Sequence, residues 1–340
     1  MSQPLRIGIL GTAKIARGFV KGVVASRRVI VGAVASRDAG KAAGFAAEFN
    51  IPRHFGSYET LLADSGIDAV YNPLPNSLHA QWSIAAARAG KHVLCEKPLA
   101  ANAEEARAMF EAAREHGVHV VEGYPYLAQP QTIQMRELIR DGAIGDPKLI
   151  QASFGFTLSD AGNIRLNPTL AGGALMDVGV YPVSLVRIVA GRRPVRVQAA
   201  ARWTHADGRG AGVDGALAAT LEFAGGLLAQ ISCSFESALH RQALIVGSGG
   251  VIETTFANHT SAERPGVLIL RAGLGADAVD GKIETPPING FLAEAESFEA
   301  LVRGGPAHWV GATPQESVDI MMTLDALLKS ARSGAAEPVG

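Results

Sequence analysis

The sequence predicts two domains of different class: an α/β domain with a parallel sheet over residues 1–122, then over 123–340 an α+β domain with a large, open, mainly antiparallel sheet. Three observations predict this. Up to about residue 122, short β-rich apolar runs alternate with helical patterns, the rhythm of a sheet covered on both faces. Beyond that point long strand-like runs adjoin one another across glycine-containing turns such as "FAGGLL" and "GSGGV", which read as hairpins. A chain of 340 residues, 48% of them hydrophobic, is also long enough for two cores.

The first domain opens with the strand "LRIGIL" and the helix "AKIARGFVKGVVA", followed by the strand "VIVGAVAS" and the helix "AGKAAGFAAEF". The strand "DAVYNPL" leads to the helix "SLHAQWSIAAARA", with Ser77 as its expected N-cap. The strand "HVLCEK", the helix "AEEARAMFEAAREHG" capped by Asn102, and the strand "VHVVEG" complete it. In the second domain, helical patterns occur near 130–140, 173–190, 290–303 and 314–332. Between them lie "PKLIQASFGF", "PVRVQAAARW", "GALAATLEF", "GLLAQISCSF", "HRQALIVGS", "GVIETTF" and "GVLILRA".

Composition excludes several classes. A formal net charge of −1 and the absence of a long basic run argue against nucleic acid as the main partner. The most apolar stretch, 173–191, is interrupted by Asp177 and Arg187, so no membrane span is expected. Cys95 and Cys233 lack metal or redox spacing, and no secretion signal precedes the first strand. A cytoplasmic location without structural zinc is expected. "NHT" at Asn258 matches a glycosylation acceptor by letters alone, and His116, His119 and Glu122 form no compact ligand set.

Between the first strand and first helix, Gly11, Thr12, Ala13, Lys14 and Ile15 form the turn, with Ala16 following. A Gly-x-Gly-x-x-Gly/Ala turn in this context lets backbone approach a dinucleotide pyrophosphate at a helix N-terminus; Ala13 adds a methyl at the middle position. The second strand ends in Ser36 and Arg37. A guanidinium and a hydroxyl suit the 2′-phosphate of NADP, whereas an NAD site carries an acid on the ribose, so NADP is expected over NAD. Asp38 is either such an acid in a shifted register or the cap of the next helix.

Lys97 emerges at the carboxyl end of a buried strand, where open α/β sheets bind ligands, and its neighbour Glu96 points to the opposite face. Pro98 keeps Lys97 out of helical conformation and makes the intervening peptide a candidate cis bond. Downstream, "GGALMDVGVYPV" sets Asp177 and Tyr181 four apart, on one face of a helix, with Val178, Val180 and Val183 toward the core. The alternative is a buried helix whose Asp and Tyr satisfy each other. A phenol with a pKa near 10 is ionised in only about one molecule in a thousand at pH 7, and a neighbouring ammonium lowers that pKa. Tyr181 as base, Lys97 as its electrostatic partner and Asp177 as orienting group form a coherent set for oxidising an alcohol by hydride transfer.

The segments "PNSLHAQWSIAAARAGKHVLCEKPLA", "GGALMDVGVYPVSLVRIVAG", "FLAEAESFEALVRGG" and "VDIMMTLDALLKSA" resemble the glucose–fructose oxidoreductase, inositol dehydrogenase and MocA (Gfo/Idh/MocA) family over nearly the whole chain. The resemblance implies a Rossmann domain, an open-faced antiparallel sheet often used for dimerisation, and NAD(P)-linked oxidation or reduction of sugars and related alcohols. It maps the lysine of the Glu-Lys-Pro motif to Lys97 and the paired downstream residues to Asp177 and Tyr181, at the last of which many relatives carry histidine. Pro73, Leu74, Asn76, His79 and Glu96 match the segment around the nicotinamide ribose. Tyrosine with Ser36-Arg37 is more like the NADP-using xylose dehydrogenases, dihydrodiol dehydrogenases and glucose–fructose oxidoreductase. Where the family often reads "EAFMYRFHPQ", this chain has "EGYPYLAQPQ": Tyr126 and Pro130 remain, while Leu127 and Gln129 replace an arginine and a histidine bordering the substrate. Arg165 in "NIRLNP" is a candidate donor to a polyol. The expected reaction is NADP-dependent oxidation of an aldose or similar cyclic polyol at C1 to a lactone, in a homodimer or homotetramer built through the second sheet. The other readings are an aldose–aldose oxidoreductase with tightly held NADP, a dihydrodiol dehydrogenase or keto-sugar reductase, and, outside redox chemistry, a nucleotide-using hydrolase or cofactor-binding regulator.

Overall fold

The computed structural model describes residues 3–206, 210–255, 264–275 and 279–340; Asn258 lies outside them. Two compact units are present: Met1–Gln129 with Ile288–Pro314, and Pro130–Pro287 with Gln315–Gly340. The boundary expected at 122/123 therefore falls at 129/130, and a later segment returns to the first unit.

The first part of the chain runs β1 (Leu5–Leu10), α1 (Lys14–Val23), β2 (Val29–Ala35), α2 (Ala39–Phe49), β3 (His54–Phe55), α3 (Tyr58–Leu62), β4 (Ala69–Asn72), α4 (His79–Arg88), β5 (His92–Glu96), α5 (Ala103–Glu115) and β6 (Val120–Gly123). Its six strands form one parallel sheet in the order β3-β2-β1-β4-β5-β6. The strands are almost wholly buried, as runs such as "AVYN" and "HVLCE" require in a sheet covered on both faces. β3 and α3 were not foreseen, because two residues carry no periodicity. Asn102 caps α5 through the Glu105 N–H, as expected. Ser77 caps nothing: it lies in a 3-10 turn, Asn76–Leu78, and α4 begins only at His79 with Leu78 at the cap.

The chain continues with α6 (Pro130–Arg140), β7 (Pro147–Thr157), α7 (Val180–Ala190), β8 (Arg196–Ala206), β9 (Gly210–Glu222), β10 (Leu228–Ser234), β11 (Glu236–Gly247), β12 (Gly250–Thr254), β13 (Gly266–Ala272) and β14 (Val279–Thr285). Then α8 (Gly290–Gly304) returns to the first unit. There Phe291, Ala295, Phe298 and Leu301 enter the core formed by β1, β2 and α1, with Phe19 stacked on Tyr71 and edge-on to Phe291. Finally α9 (Pro314–Ser333) and β15 (Glu337–Pro338) close the second unit.

The second sheet has nine strands in the order β14-β13-β12-β11-β7-β10-β9-β8-β15. Every neighbouring pair is antiparallel except β7 and β10. Alternation along the strands buries Ile150, Ala152 and Phe154 of β7 and Ala229, Ile231 and Cys233 of β10 on one face. The opposite face forms a broad concavity of about 1280 Å³ lined by glutamine, serine, threonine and alanine together with apolar Leu244, Val267 and Ile269. Gln151 donates to Gln230 at 2.9 Å and Ser153 bonds Ser232 at 2.8 Å across it. Residues Pro168–Ala190 are long and apolar enough to cross a membrane, but 83% of their most apolar window is buried inside this unit. They form its core helix.

Candidate active site

The nucleotide turn follows β1. Gly11 has φ +89°, its N–H donates to the Ala35 carbonyl at 2.7 Å, and a Cβ there would press on Leu74 at 3.0 Å. Only glycine serves in that conformation and space. No side chain caps α1 and no acid lies in its first turn, where Lys14 is exposed. Its leading N–H groups suit an anion, so the residues fit a pyrophosphate. Thr12 and Ala13 complete the turn, and Ile15 packs into the core.

At the end of β2, Ser36 is buried and its Oγ accepts from the Asp38 N–H at 3.2 Å. Asp38 Oδ1 accepts from the Lys41 N–H at 3.0 Å and caps α2, which resolves its two readings in favour of the cap. Exposed Arg37 stands close enough to the Tyr58 hydroxyl to favour its ionised form, though burial of this ring, set edge-on to Trp82, outweighs it and raises its pKa. Tyr58 was invisible to sequence reasoning because it belongs to the short α3.

Pro73 and Leu74 are buried after β4, and Asn76 is half-buried in the 3-10 turn. Fully buried Asn72 ties this segment to α4, donating to the His79 carbonyl at 3.2 Å and to Ser83 Oγ at 3.0 Å. His79 is 1% exposed. Its Nδ1 lies 2.8 Å from the Pro98 carbonyl and its Nε2 2.7 Å from the Leu74 carbonyl. Both ring nitrogens meet backbone carbonyls, so His79 links the loop after β4 to the turn after β5. Two carbonyl acceptors favour an imidazolium, but burial outweighs them and, with Lys97, lowers its pKa to about 4.

β5 delivers Glu96 and Lys97 to opposite surroundings. Glu96 is buried and accepts from the Tyr71 hydroxyl at 2.6 Å, so this side chain too is engaged inside the unit. Lys97 is half-buried, and its peptide bond to Pro98 is cis. The turn is held from two sides: His79 faces the Pro98 carbonyl, and the Leu99 N–H donates to buried Glu122 at 2.9 Å. Tyr126 is 1% exposed and set edge-on to Tyr124.

These histidines predict acid sensitivity. Burial also takes His92, stacked on His119, to about 4. Between the ordinary histidine value near 6.5 and that value, the unfolded chain binds protons that the folded one refuses, so stability falls as pH drops from 6.5 toward 4. For wholly buried His79 the loss is roughly 3 kcal/mol by pH 4. The urea midpoint at pH 4.5 is expected well below that at pH 7; a flat profile contradicts this.

The other candidates lie in the second unit. Leu175–Gly179 is a π-helical turn that runs directly into α7, so Asp177 and Tyr181 sit on one continuous helical stretch. Val178, Val180 and Val183 are buried as expected. Tyr181 is 4% exposed, with its ring 5.3 Å from that of Phe154. Arg165 is exposed, and its Nε donates to Asp177 Oδ2 at 2.6 Å, an ion pair the sequence did not suggest. Leu175 N–H donates to Asp214 Oδ2 at 2.6 Å, a contact from β9 with no sequence signal.

Family models match both units: an oxidoreductase family with an NAD-binding Rossmann fold over residues 5–124, and a GFO/IDH/MocA C-terminal domain over residues 132–253. D-xylose 1-dehydrogenase (NADP(+)) 2 of Haloferax volcanii is 38% identical over 336 residues, 98% of this chain and 99% of its own. The chain belongs to the Gfo/Idh/MocA oxidoreductase family. Within Gfo/Idh/MocA structures, a 3-ketoreductase from Actinomadura kijaniata in complex with NADP and TDP-benzene superposes with a TM-score of 0.86 at 31% identity, over 96% of this chain and 98% of its own. An aldose–aldose oxidoreductase from Caulobacter crescentus, complexed with glycerol, gives 0.84 at 27%, over 98% and 99%. The Gfo/Idh/MocA motif residues Lys97, Asp177 and Tyr181 are thus divided between the units, one in the first and two in the second.

Proposed function

We propose that this oxidoreductase uses NADP to oxidise an aldose or similar cyclic polyol at C1 to a lactone. The observation that carries the reading is the likeness to the xylose 1-dehydrogenase over 98% of the chain. Ser36 and Arg37, with Asp38 committed to α2, support NADP over NAD. When bound, the nicotinamide supplies the hydride acceptor. Gly11 and the first turn of α1 would hold the pyrophosphate, and Arg37 with Ser36 the 2′-phosphate. Tyr181 would take the substrate's hydroxyl proton, Lys97 would stabilise the resulting phenolate, and Asp177, anchored by Arg165, would orient the sugar hydroxyls.

The test is to purify the protein, identify the nucleotide released on denaturation, and follow reduced cofactor over a panel of aldoses, inositols and diols. No signal with any of them removes the reading. Arg37→Ala is expected to weaken NADP by about 10- to 100-fold, the worth of a charge-assisted contact, and to leave NAD within about twofold. Equal losses overturn the preference.

The likeness to the aldose–aldose oxidoreductase favours a second reading, in which hydride passes between two sugars. Its signature is NADP that survives gel filtration, with turnover only when a second sugar is present. The open face of the nine-stranded sheet, with its rows of glutamine, serine and alanine, is proposed as the self-association surface. Gln230→Arg is expected to convert a dimer to a monomer by light scattering; a wild-type monomer refutes this.

A further inference from the structure

We infer that Asp214 is a positioning residue: its buried carboxylate, reaching from β9, holds the first turn of the helix that carries Asp177 and Tyr181 and so sets the geometry of both. The inference rests on the proposed catalytic role of that pair.

The helical stretch starts without a cap of its own. Ala174 stands at the N-cap position and contributes no side-chain bond, so the cap must come from another element. Asp214, 1% exposed, supplies it by accepting the Leu175 N–H at 2.6 Å. Two positions further on, the Asp177 N–H donates to the Gly173 carbonyl at 3.0 Å. Gly173 itself has φ +123°, and a Cβ on it would run into Asp214 Oδ1. Glycine is therefore required on two counts: its backbone conformation and the room it leaves for the carboxylate. The turn so held is π-helical, a form concentrated at functional sites.

The surroundings show what the charge costs. Arg332 of α9 and the Leu175 N–H favour the carboxylate, but burial outweighs them and raises Asp214 to about 7. Burial, with Asp214 and Asp177 adding to it, pushes the Cys233 thiol of β10 well above its ordinary range. Arg165 is engaged with Asp177. The folded chain thus holds the Asp214 proton more tightly than the unfolded chain, whose aspartates titrate near 3.8. Ionising Asp214 takes stability away as pH rises from that value through 7. Asparagine has the same shape and removes the cost, but it also removes the charge-assisted bond. A merely structural aspartate would make Asp214→Asn less stable; a positioning one leaves the protein as stable or more so, with a looser helix start.

Full-length wild type and Asp214→Asn are compared at pH 8.5 by amide exchange of peptides covering residues 173–181, by thermal melting, by NADP affinity and by kcat and KM for the sugar found active. Exchange in that segment is expected to be about tenfold faster in the variant, the difference between a charge-assisted and a neutral hydrogen bond. NADP affinity is expected to be unchanged, the melting temperature equal or higher, and kcat about tenfold lower, as follows when a catalytic constellation loosens. Unchanged exchange in 173–181, or a lower melting temperature, overturns the inference. Absence of turnover by the wild type on every sugar removes the proposed function instead, and exchange together with melting still decides whether Asp214 holds the helix.

Discussion

Tyr181→Phe is expected to lower kcat by about 10²- to 10⁴-fold, the usual worth of a general acid–base group, with NADP affinity kept within about twofold. The substitution is clean. Tyr181 is 4% exposed and its ring packs against Phe154, so phenylalanine preserves the ring packing. The variant should stay folded and melt within about 5 °C of the wild type. Lys97→Met should produce a similar fall in kcat, and the double variant little more than either alone, because groups acting on one proton are strongly non-additive. An unchanged rate for Tyr181→Phe removes it as the base. Additive losses in the double variant separate Lys97 from its role on the phenolate.

The second large effect is on stability. Arg187, at the C-terminal turn of α7, is 8% exposed and its Nε donates to Asp319 Oδ2 at 2.8 Å, with Asp319 itself 4% exposed on α9. Arg187→Ala leaves that carboxylate buried without its principal cation and is expected to cost about 3–5 kcal/mol. For a unit of this size the melting temperature should fall on the order of 10 °C. Arg193, 3.7 Å from Asp319 Oδ1 but half-exposed and screened by solvent, offsets only part of the loss. The paired replacement Arg187→Met with Asp319→Leu should recover much of the loss, since it removes both charges together. A shift of only a degree or two for Arg187→Ala would show that solvent reaches the pair.

Much of the site was legible because its signals are local. The glycine of "GILGTAKIA" was recognisable because a strand-to-helix turn needs left-handed backbone, and Gly11 has it. Ser36-Arg37 could be read as phosphate partners because side-chain chemistry at a strand end needs no further context. Asp177 and Tyr181 followed from a spacing of four on a helix. Where the reading fell short, the deciding contact joined distant positions. The partners of Glu96 and His79, the Tyr71 hydroxyl and the Leu74 and Pro98 carbonyls, could not be read from the segment they stand in. The ion pair of Arg165 with Asp177, twelve residues away, has no signal in the sequence. The helical pattern at 290–303 was assigned to the second domain by position, whereas Phe291 and Phe298 complete the core of the first.

The sequence by itself determined the class of each unit and the family, and it singled out the proposed cofactor turn and the candidates Lys97, Asp177 and Tyr181. Periodicity, turn chemistry and motif spacing are properties of neighbouring residues and survive without a fold. The tertiary structure alone decided which polar groups are spent on holding the site: Tyr58 on Arg37, Glu122 on the Leu99 amide, His79 between two loops and Asp214 on the Leu175 amide. The physical reason is that burial makes an unsatisfied polar group costly, so each takes whatever partner folding brings within reach, and nothing in the linear order of the chain says which partner that will be.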